Sequence, residues 1–322
     1  MPPTTLPRHA DTTSSASQVA QAIEQNLGRV IHGKPEAIRL AVITLLGSGH
    51  LLLEDVPGVG KTLFAKALAR SIHGDLRRIQ GTPDLLPADL TGVAVLDPSD
   101  GTWRFREGPL FANIVLVDEI NRATPRTQSA LLEAMEEGQI TADGSTRVLP
   151  DPFMVIGTQN PHEHHGTFPL VEAQRDRFTM ALDLGMPSRE SERAILRGEV
   201  GTGVLEHISP VADTAMLRAA IATVRQIHVA DPVTEYILDI VAAPRTHPQI
   251  ELGASPRAAL SLQRSAQAQA LIEGRGYVIP DDVKGLAPAA LAHRITASDG
   301  FDLGRSRELL AGILRQVPAP RA

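Results

Sequence analysis

The chain contains no cysteine. Disulfides, thiolate metal sites and cysteine nucleophiles are therefore excluded, a composition that suits a reducing cytoplasm. Aromatic residues fill only 3% of the 322 positions, with seven Phe, two Tyr and one Trp. A core must then be built from Leu, Val, Ile and Ala, which favours α/β and helical layers over a β-sandwich. No apolar run reaches the ~18 residues that a membrane-crossing helix needs. The N-terminus also lacks the apolar segment of a signal peptide, so a cytoplasmic protein with no membrane span is expected. A basic excess is missing too, with a net charge of −6 and an isoelectric point near 6.0. Binding to a phosphate backbone depends on Lys and Arg, so nucleic acid is not expected as a main partner.

What is present is ordinary globular usage, 43% hydrophobic and 21% charged. The length is comfortable for two domains. Residues 1–17 are rich in Pro, Thr and Ser and read as a disordered tail. From Gln18 onward, Val19, Ile23, Leu27 and Val30 recur at helical spacing, and Ile38 to Leu45 repeat the pattern. Apolar runs at His50–Glu54, Ile114–Val117, Phe153–Thr158 and Thr179–Leu184 read as strands, with a further one at Arg77–Gln80. Helical segments at Leu63–Ile72 and Gln128–Glu137 fall between them. The alternation predicts a parallel sheet with helices on both sides, over residues 18–198. Residues 199–322 show helical patterns and no strand signal, so an all-helical second domain is expected.

Asp55-Val56-Pro57-Gly58-Val59-Gly60-Lys61-Thr62 follows a strand and opens a helix. This is the context of the phosphate-binding pattern G-x-x-x-x-G-K-[ST], with Asp55 in place of the first glycine. Glycines let backbone N–H groups curl round phosphates, and the helix that follows points its positive end at them. Pro57, Gly58, Val59, Gly60 and Leu63 are the expected backbone cradle for ATP. Lys61 supplies a mobile positive charge, and the Thr62 hydroxyl is a hard ligand for Mg²⁺. The strand Ile114–Val117 ends in Asp118-Glu119. A carboxylate there stands beside the phosphate loop, where open α/β sheets bind ligands. Asp118 is the second expected metal ligand and Glu119 the expected general base for the attacking water.

These residues resemble the MoxR-type ATPases of the AAA+ superfamily. The likeness extends through Arg78–Gly92, Val117–Ala123, Gln128–Glu137, Thr158–Pro161, Glu172–Phe178 and Gly253–Ala258. It implies an AAA+ core with an α-helical lid and ATP hydrolysis supported by Mg²⁺. By that resemblance Asn160 is similar to the sensor-1 residue that helps place the hydrolytic water. Arg177 is similar to the arginine finger that reaches a neighbour's γ-phosphate, and Arg257 to the sensor-2 arginine of the lid. Val30, Ile31 and Gly33 are similar to the segment that packs on adenine. Arg175 lies two positions from Arg177, so two arginines compete for the finger role, and Arg177 holds the motif position. The plain alternatives are a turn residue for Asn160 and surface ion pairs for the arginines.

The resemblance also implies a homo-oligomeric ring, a hexamer, that remodels or activates protein clients. A protein with a von Willebrand factor A domain is the implied effector. A magnesium-chelatase-type subunit and a nucleotide-gated scaffold with negligible turnover are the alternatives. Val93–Phe105 alternates around a turn and reads as a β-hairpin, with Trp103 assigned to the core. His162-Glu163-His164-His165 does not match the helical spacing of a zinc motif and is read as a loop, not a metal site.

Overall fold

A computed structural model describes residues 9–160 and 166–320. His162–His165 therefore lie outside the described residues, as do the first eight positions of the expected tail. Helix α1 (His9–Val30) begins well inside that expected tail. Ala16 and Ser17 are buried, and the Ser17 hydroxyl donates to the Ile272 carbonyl at 3.1 Å. The polar composition there is the outer face of a helix whose apolar partner surface lies over 250 positions away.

Helix α2 (Pro35–Leu46) leads into β1 (Leu51–Glu54), α3 (Lys61–Ser71) and β2 (Leu76–Gln80). Short α4 (Pro87–Thr91) precedes the antiparallel hairpin β3 (Gly92–Leu96) and β4 (Trp103–Glu107). The hairpin stands where the alternation predicts it, but Trp103 is 71% exposed on it and is not a core residue. β5 (Ile114–Asp118) and α5 (Pro125–Glu137) follow, then a second hairpin, β6 (Gln139–Ala142) and β7 (Ser145–Val148). That second hairpin was not anticipated. β8 (Met154–Gln159), α6 (Glu172–Arg175) and β9 (Met180–Leu182) complete the α/β part.

The main sheet is wholly parallel, in the order β2-β5-β8-β1-β9. Its inner strands β5, β8 and β1 are largely apolar because both faces are covered, whereas edge strand β2 exposes Arg77, Arg78 and Gln80. Successive side chains alternate between faces, and the two cores show it. Leu51, Leu53, Ile114, Leu116, Met154 and Ile156 join the core made with α1, α2 and α3. Leu52, Val115, Val117 and Val155 join the opposite one, with Leu131, Met135 and Phe178. The strand order brings the C-terminal ends of β5, β8 and β1 side by side, which is what builds the site.

The second region holds α7 (Arg189–Leu196), α8 (Thr202–Leu205), α9 (Thr214–Val224) and α10 (Asp231–Ala242). It continues with β10 (Ile250–Leu252), α11 (Pro256–Ile272), α12 (Pro280–Leu291), β11 (Thr296–Ala297) and α13 (Leu303–Gln316). It is mostly helical but not all helical, since β10 and β11 pair antiparallel. Both strands are too short to show a period. Helix α1 packs on α2 and α3 and also on α9 and α11. Its Ile23, Leu27 and Val30 are buried in one cluster with Leu217 and Leu271. Burying each such side chain contributes about 1.5–3 kcal/mol, so α1 ties the helical region to the sheet.

Candidate functional site

The loop after β1 turns through Gly58 and Gly60, with φ of 88° and 100°. A Cβ at either would meet nothing within 4 Å, so the requirement is conformational and not steric. Gly60 caps α3, and the first helical N–H groups have no intrahelical acceptor. Lys61 donates to the carbonyls of Asp55 at 2.7 Å and Val56 at 3.2 Å. Partial burial pushes its ammonium below the usual lysine range, opposed by the nearby charges of Asp55, Asp118 and Glu119.

Asp55 has a structural role of its own. Its buried carboxylate accepts from the amides of Val56 at 3.0 Å, Leu184 at 2.7 Å and Gly185 at 2.8 Å. Leu184 and Gly185 lie just beyond β9, on the chain leading to α7. The residue that departs from the motif thus fastens the loop's entrance to the start of the helical region.

Asp118 ends β5 and is 7% exposed. Its Oδ2 accepts from Arg78 at 2.6 Å and its Oδ1 from the Thr158 hydroxyl at 3.4 Å. Glu119 takes a left-handed backbone, φ 54° and ψ 52°, at a cost of about 1–2 kcal/mol. Its amide donates to Thr158 Oγ1 at 3.0 Å and its carbonyl accepts from the Arg122 amide at 2.9 Å, which holds the turn. Glu119 Oε2 faces Gln80 at 3.0 Å and Arg122 at 3.4 Å. Gly81 permits this approach, because a Cβ there would lie 2.2 Å from the Glu119 carbonyl oxygen.

These groups line one cleft of about 430 Å³, which includes Gly58, Gly60, Lys61, Thr62, Asp118, Glu119 and Asn160. Pro57 and Leu63 also line it, and Val59 is packed against the core. Arg78, Gln80, Lys66 and Thr158 also line it, as do Thr202 and Leu205 of α8. Val30, Ile31 and Gly33, expected against adenine, do not line this cleft. The Val30 carbonyl accepts from the Gly201 amide at 3.2 Å, and Ser191 seats against Gly33. A hydroxyl and a carboxylate at a polar cleft are hard oxygen donors of the kind Mg²⁺ accepts while keeping other ligands from phosphate and water. Thr62 and Asp118 therefore fit the ion. Among the described residues no group of three or more His, Cys, Asp or Glu could hold a metal by itself.

The two competing arginines separate clearly. Arg175 is 5% exposed. It donates to the carbonyls of His293 at 3.0 Å and Leu170 at 2.9 Å and to Thr296 Oγ1 at 3.1 Å, and it stacks 3.7 Å over the Phe301 ring. Arg177 is half-exposed, donates to the Leu132 carbonyl at 2.6 Å and pairs with Glu136 at 3.0 Å. Arg257 pairs with the same Glu136. Both line a recess of about 210 Å³ with His50, Asp176 and Ser261, and neither lines the phosphate-loop cleft. The segment that carries Arg177 is held by the helical region. Arg294 donates to the carbonyls of Asp176 at 3.0 Å and Phe178 at 2.9 Å, and Ser255 donates to the Asp176 carboxylate at 2.8 Å.

Residues 50–180 match the model of the ATPase family associated with various cellular activities (AAA), and residues 242–311 match the AAA lid domain. Chaperone MoxR1 of Mycobacterium tuberculosis is 41% identical over 83% of this chain and 73% of its own length. The chain belongs to the MoxR-type AAA+ ATPases. YeaC of Bacillus subtilis, an uncharacterized protein, is 48% identical over 86% of this chain and 86% of its own length. The solved structure of a candidate ATPase from Cytophaga hutchinsonii superposes with a TM-score of 0.88 at 34% identity, covering 97% of this chain and 98% of that one.

In this MoxR-type chain, sequence reasoning missed Arg78, Gln80, Thr158 and the α8 residues. Gln80 pairs in register with Asp118, so two polar residues alternating about Ile79 on β2 were the available signal. For Thr202 and Leu205 no local signal exists, because only the return of the chain over α3 brings them there. Val211 and Ala212 donate to the Ser71 carbonyl, and Arg70 reaches the Glu206 and Ile208 carbonyls.

Proposed function

We propose that this AAA+ ATPase hydrolyses Mg-ATP in an oligomeric ring and uses the cycle to remodel or activate protein clients. The observation that carries the reading is the division of its charged machinery. Lys61, Thr62, Asp118, Glu119 and Asn160 share one cleft, while Arg177 and Arg257 share another recess. A reaction that needs both sets is complete only where two subunits meet. A hexamer is the expected assembly, and a protein with a von Willebrand factor A domain the expected effector.

In the proposed reaction the water oxygen bonds to the γ-phosphorus and the bond from that phosphorus to the bridging oxygen breaks, leaving ADP and phosphate. Glu119 takes the proton of the attacking water, and Gln80 and Arg122 hold its carboxylate toward the cleft. Asn160, one residue beyond β8, orients that water. The backbone N–H groups from Gly58 to Leu63 and the Lys61 ammonium bind the phosphates. Thr62 and Asp118 would hold Mg²⁺, which neutralises phosphate charge when bound. Arg177 and Arg257 of the adjoining subunit stabilise charge on the γ-phosphate, and such an arginine is worth roughly 10³–10⁵ in rate. Segment Val30–Gly33 backs the base-binding side through its contact with α8.

Turnover per subunit, measured against protein concentration beside Arg177→Ala, tests this. A shared site requires turnover to climb with concentration and the variant to stay low throughout. Flat turnover that ignores Arg177 would leave a monomeric ATPase or a nucleotide-gated switch.

A further inference from the structure

Glu136 lies in the last turn of α5, on the rim between two recesses, and both recesses are also lined by Arg177. Its two carboxylate oxygens are divided between two arginines from distant segments. Oε2 lies 3.0 Å from Arg177 of the finger segment, and Oε1 contacts Arg257 at the start of α11. Arg177 also donates to the Leu132 carbonyl one turn back on α5. The side chains are 29–39% exposed, so the arrangement faces outward and is not a buried structural pair. It contrasts with Arg175 and Arg294, which are fixed by buried carbonyls of remote segments, those of His293 and Phe178.

One anion with an oxygen for each of two guanidinium groups is also what a terminal phosphate presents, with more charge and a third oxygen. Two adjacent cations repel unless an anion lies between them, and Glu136 supplies that anion on the subunit's own surface. Its position at the C-terminal end of α5, the negative end of the helix dipole, adds to the attraction for both arginines.

We infer that Glu136 is a stand-in for the neighbouring subunit's γ-phosphate, holding Arg177 and Arg257 together until that phosphate replaces it. The inference rests on the reading that these arginines act on an adjoining subunit. Glu136 is a positioning residue: it touches no nucleotide, and it sets how readily the arginines are released. Exchange of a singly charged carboxylate for a multiply charged phosphate favours the assembled, nucleotide-filled interface. While the subunit is alone, the same contact keeps the arginines on α5.

The test is turnover against protein concentration at saturating Mg-ATP for wild type, Glu136→Gln, Arg177→Ala and the double variant. Gln keeps the shape and removes the charge. The half-maximal concentration of Glu136→Gln is expected to fall roughly three- to tenfold, the scale of two partly exposed ion pairs. Its plateau should stay at or above that of wild type. The double variant should match Arg177→Ala. Glu136→Asp, which keeps the charge but cannot span both arginines, should fall between Gln and wild type. Affinity for a fluorescent ATP analogue, measured well below the wild-type half-maximal concentration and unchanged in Glu136→Gln and Glu136→Asp, shows that the fold and cleft are intact. A half-maximal concentration that is unmoved or raised, or a lowered plateau, overturns the inference. Flat wild-type turnover that ignores Arg177 removes the shared-site reading itself, and the wild type and Arg177→Ala alone reveal that result.

Discussion

Replacing Arg175 by alanine should separate a structural arginine from a catalytic candidate two positions away. Truncation leaves the carbonyls of His293 and Leu170 and the Thr296 hydroxyl without their donor, and removes the stack on Phe301. Hydrogen bonds to a charged group contribute about 1.5–3 kcal/mol each, and a desolvated cation–π contact about 2. Against this stand the desolvation that pushes the Arg175 pKa below the usual arginine value and about 2 kcal/mol of side-chain ordering. The net expected loss is about 3–5 kcal/mol, the usual size when one partner of a buried polar cluster is removed. Arg177→Ala breaks only half-exposed contacts and should cost about 0–1 kcal/mol while abolishing most turnover. Urea unfolding followed by far-UV circular dichroism is the assay, since Trp103 is 71% exposed and reports poorly on the core. If Arg175→Ala unfolds within about 1 kcal/mol of wild type, or Arg177→Ala is as destabilised as Arg175→Ala, the division of roles is wrong.

Glu119→Gln should retain nucleotide binding and lose turnover by roughly 10²–10⁴, the contribution of a positioned base; equal turnover in single-cycle assays would remove Glu119 from that role. Buried His50 provides a pH test. Its Nδ1 accepts from the Val155 amide at 3.0 Å, its Nε2 faces the Met135 carbonyl, and burial pushes its pKa from 6.5 down to about 4. A base whose folded pKa is depressed binds fewer protons in the folded state. Its stabilisation is therefore complete above the unfolded value and is lost as pH falls from 6.5 toward 4. The full loss is about 3 kcal/mol, and the difference in stability between wild type and His50→Gln should shrink across that window. A difference constant from pH 7 to 4 would contradict a neutral buried imidazole.

The sequence disclosed what is local. The phosphate loop, Asp118-Glu119 and the hairpin at Val93–Phe105 are contiguous, and each sits on the element its pattern demands. The parallel sheet was legible because its inner strands are buried on both faces and so carry apolar runs. What stayed hidden depends on remote partners. Nothing near Arg175 says that it is buried and Arg177 is not, because the groups that fix it, His293 and Thr296, lie 118 and 121 positions away. Asp55 reads as a defect in a motif until Leu184 and Gly185 supply its donors. Trp103 reads as core because a lone Trp is more often core than contact, and the hairpin carries it into solvent. Helix α13 falls within the expected helical region, and its Leu309, Leu310, Ile313 and Leu314 repeat at helical spacing and are buried.

The central claim is that one active site is built from two subunits, and mixing two inactive variants tests it most directly. Glu119→Gln keeps Arg177 and loses the base; Arg177→Ala keeps the base and loses the finger. Where the first adjoins the second, one complete site is restored. A shared site requires the mixture to turn over ATP faster than either variant alone, with a maximum near equal proportions. A mixture no faster than the weighted mean of its components would show that each subunit carries its whole site within itself.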